Sequence, residues 1–322
     1  MRCACPIPRG CSWPLKKRRC LPKPLAESSN RSPSMQQETQ VAPDTRLDFL
    51  KDFAAQLTSR DIDLPPFPDV YARILNALND PDLSMEQLAR VVTAAPDLCV
   101  RILLMANSAL LNRAGVEVTD ISVAVSRLGV SAVRSAAVSL ATKEVFDIPK
   151  NSPLSRQLDQ LRAASVRTAA FSYAMANRSG LSQLKDNAML AGLLHNVGSF
   201  YILSKADKYP EFAEEDVMQN WGPGIGYAII ENWGFPEELA KAVEDQDILE
   251  ASHFGLPDLR DLLIVGKQLA SFVEGETPES PGCEEKCEKI PAFAKLDINP
   301  DNVLQVLGEI NEEVESFVSA LK

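Results

Sequence analysis

Histidine is scarce: only His195 and His253 occur in the 322 residues. A metal centre made of several imidazoles cannot be assembled from two. Strand-like alternation of apolar and polar residues is almost missing, which leaves little material for a sheet. No run reaches the roughly 18 uninterrupted apolar residues of a membrane-spanning helix, and the most apolar stretch, 188–203, is broken by His195, Asn196 and Ser199. No membrane segment is expected. A disulfide framework of the secreted kind is missing too, so a reducing cytoplasm is the expected compartment. A secretory signal would need an apolar core of about 7–15 residues behind its basic start, and the N-terminus has none.

What remains is the composition of an ordinary globular protein, 45% hydrophobic and 24% charged. The charge is unevenly placed. Residues 1–34 hold eight basic residues and one acid, and 35–322 hold 25 basic and 43 acidic residues. A body that acidic repels phosphate backbones, so the main body is not expected to bind nucleic acid. The short arm carries Cys3, Cys5, Cys11 and Cys20 among Pro, Arg and Lys. Those spacings are not the spacings of a zinc finger. Residues 1–44 therefore read as a disordered basic, cysteine-rich tail, part of it sequence upstream of a start at Met35. A metal- or nucleic-acid-binding tail is the competing reading. Cys99 reads as a core residue, and Cys283 and Cys287, one helical turn apart, do not make a metal site by themselves.

From Thr45 onward apolar residues recur at helical spacing. Leu47, Leu50, Phe53, Ala54 and Leu57 form one stripe, which Pro65, Pro66 and Pro68 interrupt. Val70, Ile74, Leu75 and Leu78 form the next, Ser84 with Gln87 predicts a capping box, and Pro96 suits the first turn of a further helix. Helices are predicted at 121–128 and 131–146 on either side of Gly129, then at 154–178, 186–204, 225–232, 237–244 and 259–273. Gly222-Pro223-Gly224-Ile225-Gly226 reads as a loop opening a helix, and 276–297 as an acidic loop. In the last segment, 298–322, Val303, Leu307, Ile310, Val314 and Phe317 follow heptad spacing. That stripe docks on the body or, as a minority use, joins two copies into a homodimer. The fold class is all-α.

Several segments carry a resemblance: Leu64-Pro65-Pro66-Phe67-Pro68, Leu78-Asn79-Asp80-Pro81, Ala95-Pro96-Asp97-Leu98, Ala106-Asn107-Ser108-Ala109, Ser126-Arg127-Leu128-Gly129, Leu194-His195-Asn196-Val197-Gly198 and Trp233-Gly234-Phe235-Pro236. In that order and at those intervals they resemble the HDOD domains, degenerate relatives of the HD-domain metal-dependent phosphohydrolases. The resemblance implies two packed helical subdomains, an N-terminal bundle over 45–148 and a degenerate HD-like bundle over 149–275, with a groove between them suited to a partner or small ligand.

In a hydrolase of that kind the metal would be held by an early His, a His-Asp pair and a later Asp. Here the early position falls near Ala163-Ala164-Ser165, the pair reads His195-Asn196, and the later position falls near Val265-Gly266-Lys267. Amides and aliphatics compete poorly with water for a divalent ion. No catalytic residue, metal or cofactor is expected. His195 and Asn196, with Asn107 and Ser108, are the candidate ligand or partner pocket, against the reading that these polar groups only satisfy buried backbone. The expected function is a non-enzymatic bacterial signalling protein working through a protein partner, with a cyclic dinucleotide as a further ligand class. A residual HD-type phosphohydrolase acting on nucleotides and a dimerising scaffold are the alternatives.

Overall fold

The computed structural model describes residues 69–112, 115–206, 214–274 and 281–321, together with Lys51 and Ala55, all within the body that spans Asp44–Lys322. The tail, the Leu47–Leu57 stripe and the Pro65–Pro68 break lie outside the described residues. Among the described residues every regular element is a helix. Helix α1 is Asp69–Ala77, α2 Met85–Thr93, α3 Pro96–Asn107 and α4 Ile121–Val145. Helix α5 is Ser155–Arg178, α6 Lys185–Leu194, α7 Val197–Ser204, α8 Glu215–Asn232, α9 Glu237–Glu244 and α10 Leu259–Glu274. Helix α11 is Pro281–Lys289, α12 Pro291–Lys295 and α13 Val303–Leu321.

Local chemistry sets these boundaries. Ser84 accepts from the Gln87 N–H at 3.2 Å while the Gln87 side chain accepts from the Ser84 N–H at 2.8 Å, the predicted capping box of α2. Pro96 opens α3, where its missing donor is not needed. Gly129 takes φ 77° and ψ 173°, so α4 is two helices joined at a glycine kink. By length and composition α4 could cross a membrane, in departure from the sequence expectation. Here it is a core helix: Ala124, Val125, Val133, Ala136 and Ala137 are fully buried, against α1, α2 and α3.

The first bundle is α1–α4. The second is built around α5, which packs on α6, α7 and α10, with α8 covering α7 and α9 packed on α8, α10 and α6. Helix α6 also packs on α4 and so joins the two bundles. The last helix, α13, lies against both α5 and α3. Its heptad stripe is buried within the chain, Val303, Val314 and Phe317 at 0% exposure, and Ser316 accepts from the Ala109 N–H at 2.9 Å. The stripe thus docks on the body, as the favoured reading has it.

Three predicted boundaries move. The run 186–204 is not one helix but α6 and α7, broken at His195 and Asn196. The glycine-rich segment 222–226 is not a loop, since α8 runs straight through Pro223. Its glycines serve close packing: a Cβ on Gly198 of α7 would sit 2.0 Å from the Gly222 carbonyl oxygen of α8. The described part of the expected acidic loop holds α11 and α12, because Cys283, Cys287 and Ile290 form a short buried stripe under a charged outer face.

Candidate functional site

Helices α5, α6, α7, α8 and α10 converge on the break between α6 and α7. Around it is a cavity of about 250 Å³ lined by Ala164, His195, Asn196, Gln246, Asp247 and Lys267, among others. The three places where the resemblance would put metal ligands therefore do meet in space, carrying other chemistry.

His195 is 4% exposed, and its Nδ1 lies 2.7 Å from the Gly192 carbonyl oxygen. A carbonyl only accepts, so Nδ1 carries the proton and Nε2 the lone pair. Burial, and then the neighbouring Lys267 charge, pull its pKa down to about 3, against the opposing pull of the Gly192 carbonyl and Asp247. The ring is neutral at physiological pH. Asn196 donates to the Leu161 carbonyl at 3.3 Å and to Ser165 Oγ at 3.2 Å, tying the helix break to α5. Gln246 is buried and donates to the His195 carbonyl at 2.9 Å. Its Oε1 accepts from Lys267 Nζ at 3.0 Å, and the same ammonium lies 2.6 Å from Asp247 Oδ1.

The donor set decides what this site can hold. One neutral imidazole, two amides already bonded to backbone and one carboxylate held by an ammonium do not make a seat for a divalent ion. Lys267 supplies locally the positive charge that the metal of an HD hydrolase would supply. The residues present do not fit the metal that the hydrolase kinship implies.

Asn107 and Ser108 are elsewhere. Asn107 ends α3 and Ser108 caps it, so the pair is not inside a helix. Asn107 Nδ2 donates to the Leu103 and Val118 carbonyls at 3.0 and 2.7 Å, and its Oδ1 accepts from the Val118 N–H at 2.8 Å. Ser108 Oγ donates to the Met105 carbonyl at 2.8 Å. These two residues pin the loop after α3 and do not line the His195 cavity.

His253 has partners that the sequence did not reveal. Its Nε2 is 2.8 Å from Asp261 Oδ2 and 3.2 Å from Asp258 Oδ2, and one ligand atom from each of the three residues fits within 4.8 Å of the others. Lys295 Nζ enters the same cluster, 3.3 Å from Asp261 Oδ2 and 2.7 Å from His253 Nε2. The ammonium offsets one of the two carboxylate charges, and the group ties the 251–258 loop to α10 and α12. Gln246 and Lys267 were the residues missed at the main site. The available signal was a polar pair placed directly after α9 and a lysine inside the apolar stripe of α10.

The groove between the two bundles is a separate cleft of about 850 Å³ that includes Tyr71, Arg101, Lys143, Asp147 and Arg162. It lies where the two-bundle reading places a ligand groove.

Known proteins match this architecture. An uncharacterized protein of Treponema pallidum (strain Nichols) is 25% identical over 244 residues, covering 70% of this chain. The chain spans only 45% of that relative's length. A crystal structure from Shewanella amazonensis SB2B, of a protein named provisionally as a metal-dependent phosphohydrolase, superposes with a TM-score of 0.69 at 24% identity. It covers 86% of this chain and 99% of its own. An HDOD domain protein of unknown function from Geobacter sulfurreducens superposes with a TM-score of 0.60 at 22% identity, covering 85% of this chain and 98% of its own. One from Marinobacter aquaeolei VT8, named provisionally as a signal transduction protein, gives 0.58 at 22% identity over 86% of this chain and 65% of its own. At these identities the likeness establishes the fold. The HDOD domain profile matches residues 64–249, from the segment before α1 to just beyond α9, and with more than half its length so matched the chain belongs to the HDOD domain family.

Proposed function

We propose that this chain is a non-enzymatic bacterial regulatory protein of the cytoplasm, acting in signal transduction by binding a protein partner through its HDOD body. The observation that carries the reading is the salt bridge of Lys267 with Asp247, in the cavity where a hydrolase would hold its metal. A fixed ammonium neither exchanges nor lowers the pKa of a bound water, so the two services of a hydrolytic metal are both missing from it. His195, neutral and hydrogen-bonded to backbone, and Asn196, tied to α5, fasten the bundle instead of reacting. The kinship with HDOD proteins and the Marinobacter neighbour named for signal transduction support the regulatory side.

The test is manganese loading of the purified full chain, chosen because thiolates of the tail hold manganese poorly, followed by hydrolysis assays on nucleotides. The expected result is no stoichiometric manganese and no turnover. About one bound equivalent with manganese-dependent hydrolysis overturns the reading and restores the phosphohydrolase.

A further inference from the structure

Arg101 lies in α3 between Leu98 and Ile102, two residues with 0% exposure, and is itself only 8% exposed. A buried charge is expected to have a partner, because desolvation of an unpaired ion is costly. Arg101 has none within ion-pair or hydrogen-bond distance among the described residues, and its Nη1 is buried without any acceptor. Burial pulls its pKa down, and the opposing influence of Tyr71 and Asp97 is the smaller one. A guanidinium stays charged at any physiological pH.

The side chain lines an open cavity of about 250 Å³ whose other walls are α4, α5, α6 and α7, and also a larger cleft. A second guanidinium lines both spaces. Arg162 donates to the Lys143 carbonyl at 2.8 Å and lies near Asp159, but its Nε is also buried without an acceptor. Both arginine side chains therefore line one cavity, each with a buried N–H that lacks an acceptor, and the Asp159 carboxylate beside Arg162 and the Lys143 side chain line it too. Hydroxyls of Ser139 and Ser165 stand in the same wall. Ser165 Oγ already accepts from Asn196, which leaves its own proton free to donate. On the other side Val166, Leu193 and Phe200 are apolar.

We propose that this cavity is an anion site for the phosphoryl group of a small phosphorylated metabolite or nucleotide, with Arg101 as the principal ligand and Arg162 and the Ser139 and Ser165 hydroxyls completing the contact. Arginine forks match the oxygens of phosphate two at a time. Donors on the Arg101 fork, with two hydroxyls and the charge of Arg162 beside them, suit a group with three terminal oxygens better than a planar carboxylate, and the apolar wall takes the organic part. The adjoining cleft leaves room for it to extend. Asn196, through its bond to Ser165, positions one of the hydroxyls without touching the ligand.

Phosphoryl binding here is independent of catalysis at the His195 cavity. A chain that neither binds manganese nor responds to phosphate loses this proposal and keeps the regulatory reading. The experiment is thermal unfolding of the full chain at fixed pH and ionic strength, titrated with inorganic phosphate and with adenosine 5′-monophosphate. Chloride and acetate serve as matched controls. Both phosphates are expected to raise the unfolding midpoint, measurably by about 10 mM for a millimolar site and growing with the logarithm of concentration above that. Chloride and acetate are expected to leave it unchanged. Arg101→Met abolishes the response, Arg101→Lys weakens it at least about tenfold by losing the fork, and Arg101→Met without phosphate unfolds no lower than the parent, because the charge it removes has no partner. An Arg101→Met protein that still responds, or that is strongly destabilised without ligand, overturns the proposal. So does an unresponsive parent or an equal response to acetate.

Discussion

Acid should weaken this protein through His195, by an amount that can be worked out. The ring titrates at about 3 in the folded chain and at an ordinary 6.5 when unfolded. Between those values the unfolded state binds the proton and the folded state does not, so stability falls as pH falls from 6.5 toward 3. Above 6.5 the group makes no contribution to the pH dependence. At pH 5 the loss is about 2 kcal/mol, and below both values it approaches about 5 kcal/mol. Carboxylates titrate over part of the same range, so the signal must be isolated by difference. His195→Gln cannot charge, and it loses the Gly192 bond at every pH. In urea unfolding at pH 7.5, 6.0 and 5.0 the variant is expected to be less stable than the parent at pH 7.5. The gap should shrink by about 2 kcal/mol at pH 5. A gap that stays constant across the three pH values would refute a buried, neutral imidazole.

Two further outcomes follow from packing. Gly198→Ala places a Cβ 2.0 Å from the Gly222 carbonyl oxygen, where backbone faces backbone and neither side chain can move aside. A loss of about 3 kcal/mol or failure to fold is expected in a thermal melt, because overpacking of a fixed contact must separate α7 from α8. The thiol of Cys287, buried beside Cys283, is pushed up to about 12, so at pH 8 it should resist alkylation in the folded chain and react fully in urea, read peptide by peptide by mass spectrometry. Rapid labelling under native conditions would contradict the burial of the α11 face.

The helices and most of their ends were written locally. Ser84 and Gln87 carry their own cap, Pro96 opens α3, and Gly129 marks the kink in α4. The heptad stripe of α13 was read correctly as docking because fewer than three heptads would make a marginal coiled coil alone. The break at His195 was hidden, since the apolar residues of α6 and α7 run on without interruption in hydropathy and only the three-dimensional packing requires a turn there. The Gly222–Gly226 segment misled for a related reason: glycine spacing that serves close helix approach is indistinguishable, in one sequence, from glycine that breaks a helix. At the site, the vacated ligand positions were legible as residue types, but the partners were not. Gln246 reaches His195 across 51 residues of chain and Lys267 reaches Asp247 across 20, and no local rule joins positions that far apart. Arg101 was visible as a charge within the stripe Leu98, Ile102 and Met105, and only the structure reveals that its Nη1 meets no acceptor among the described residues.

The placing of α13 has a consequence for how this protein can be divided. The family-matched segment stops at residue 249, yet α10 and α13 both pack on α5, and α13 also reaches across to α3. A fragment cut where the family match stops would lose the surface that closes both bundles and would expose apolar faces that are fully covered in the whole chain. The segment that the family profile matches and the unit of folding thus differ here. A closing helix that grips both halves also couples them: any hinge motion between the bundles must slide or release α13. The salt bridge of Arg178 with Glu309 and the bond of Ser316 to Ala109 are then the contacts that register such a motion.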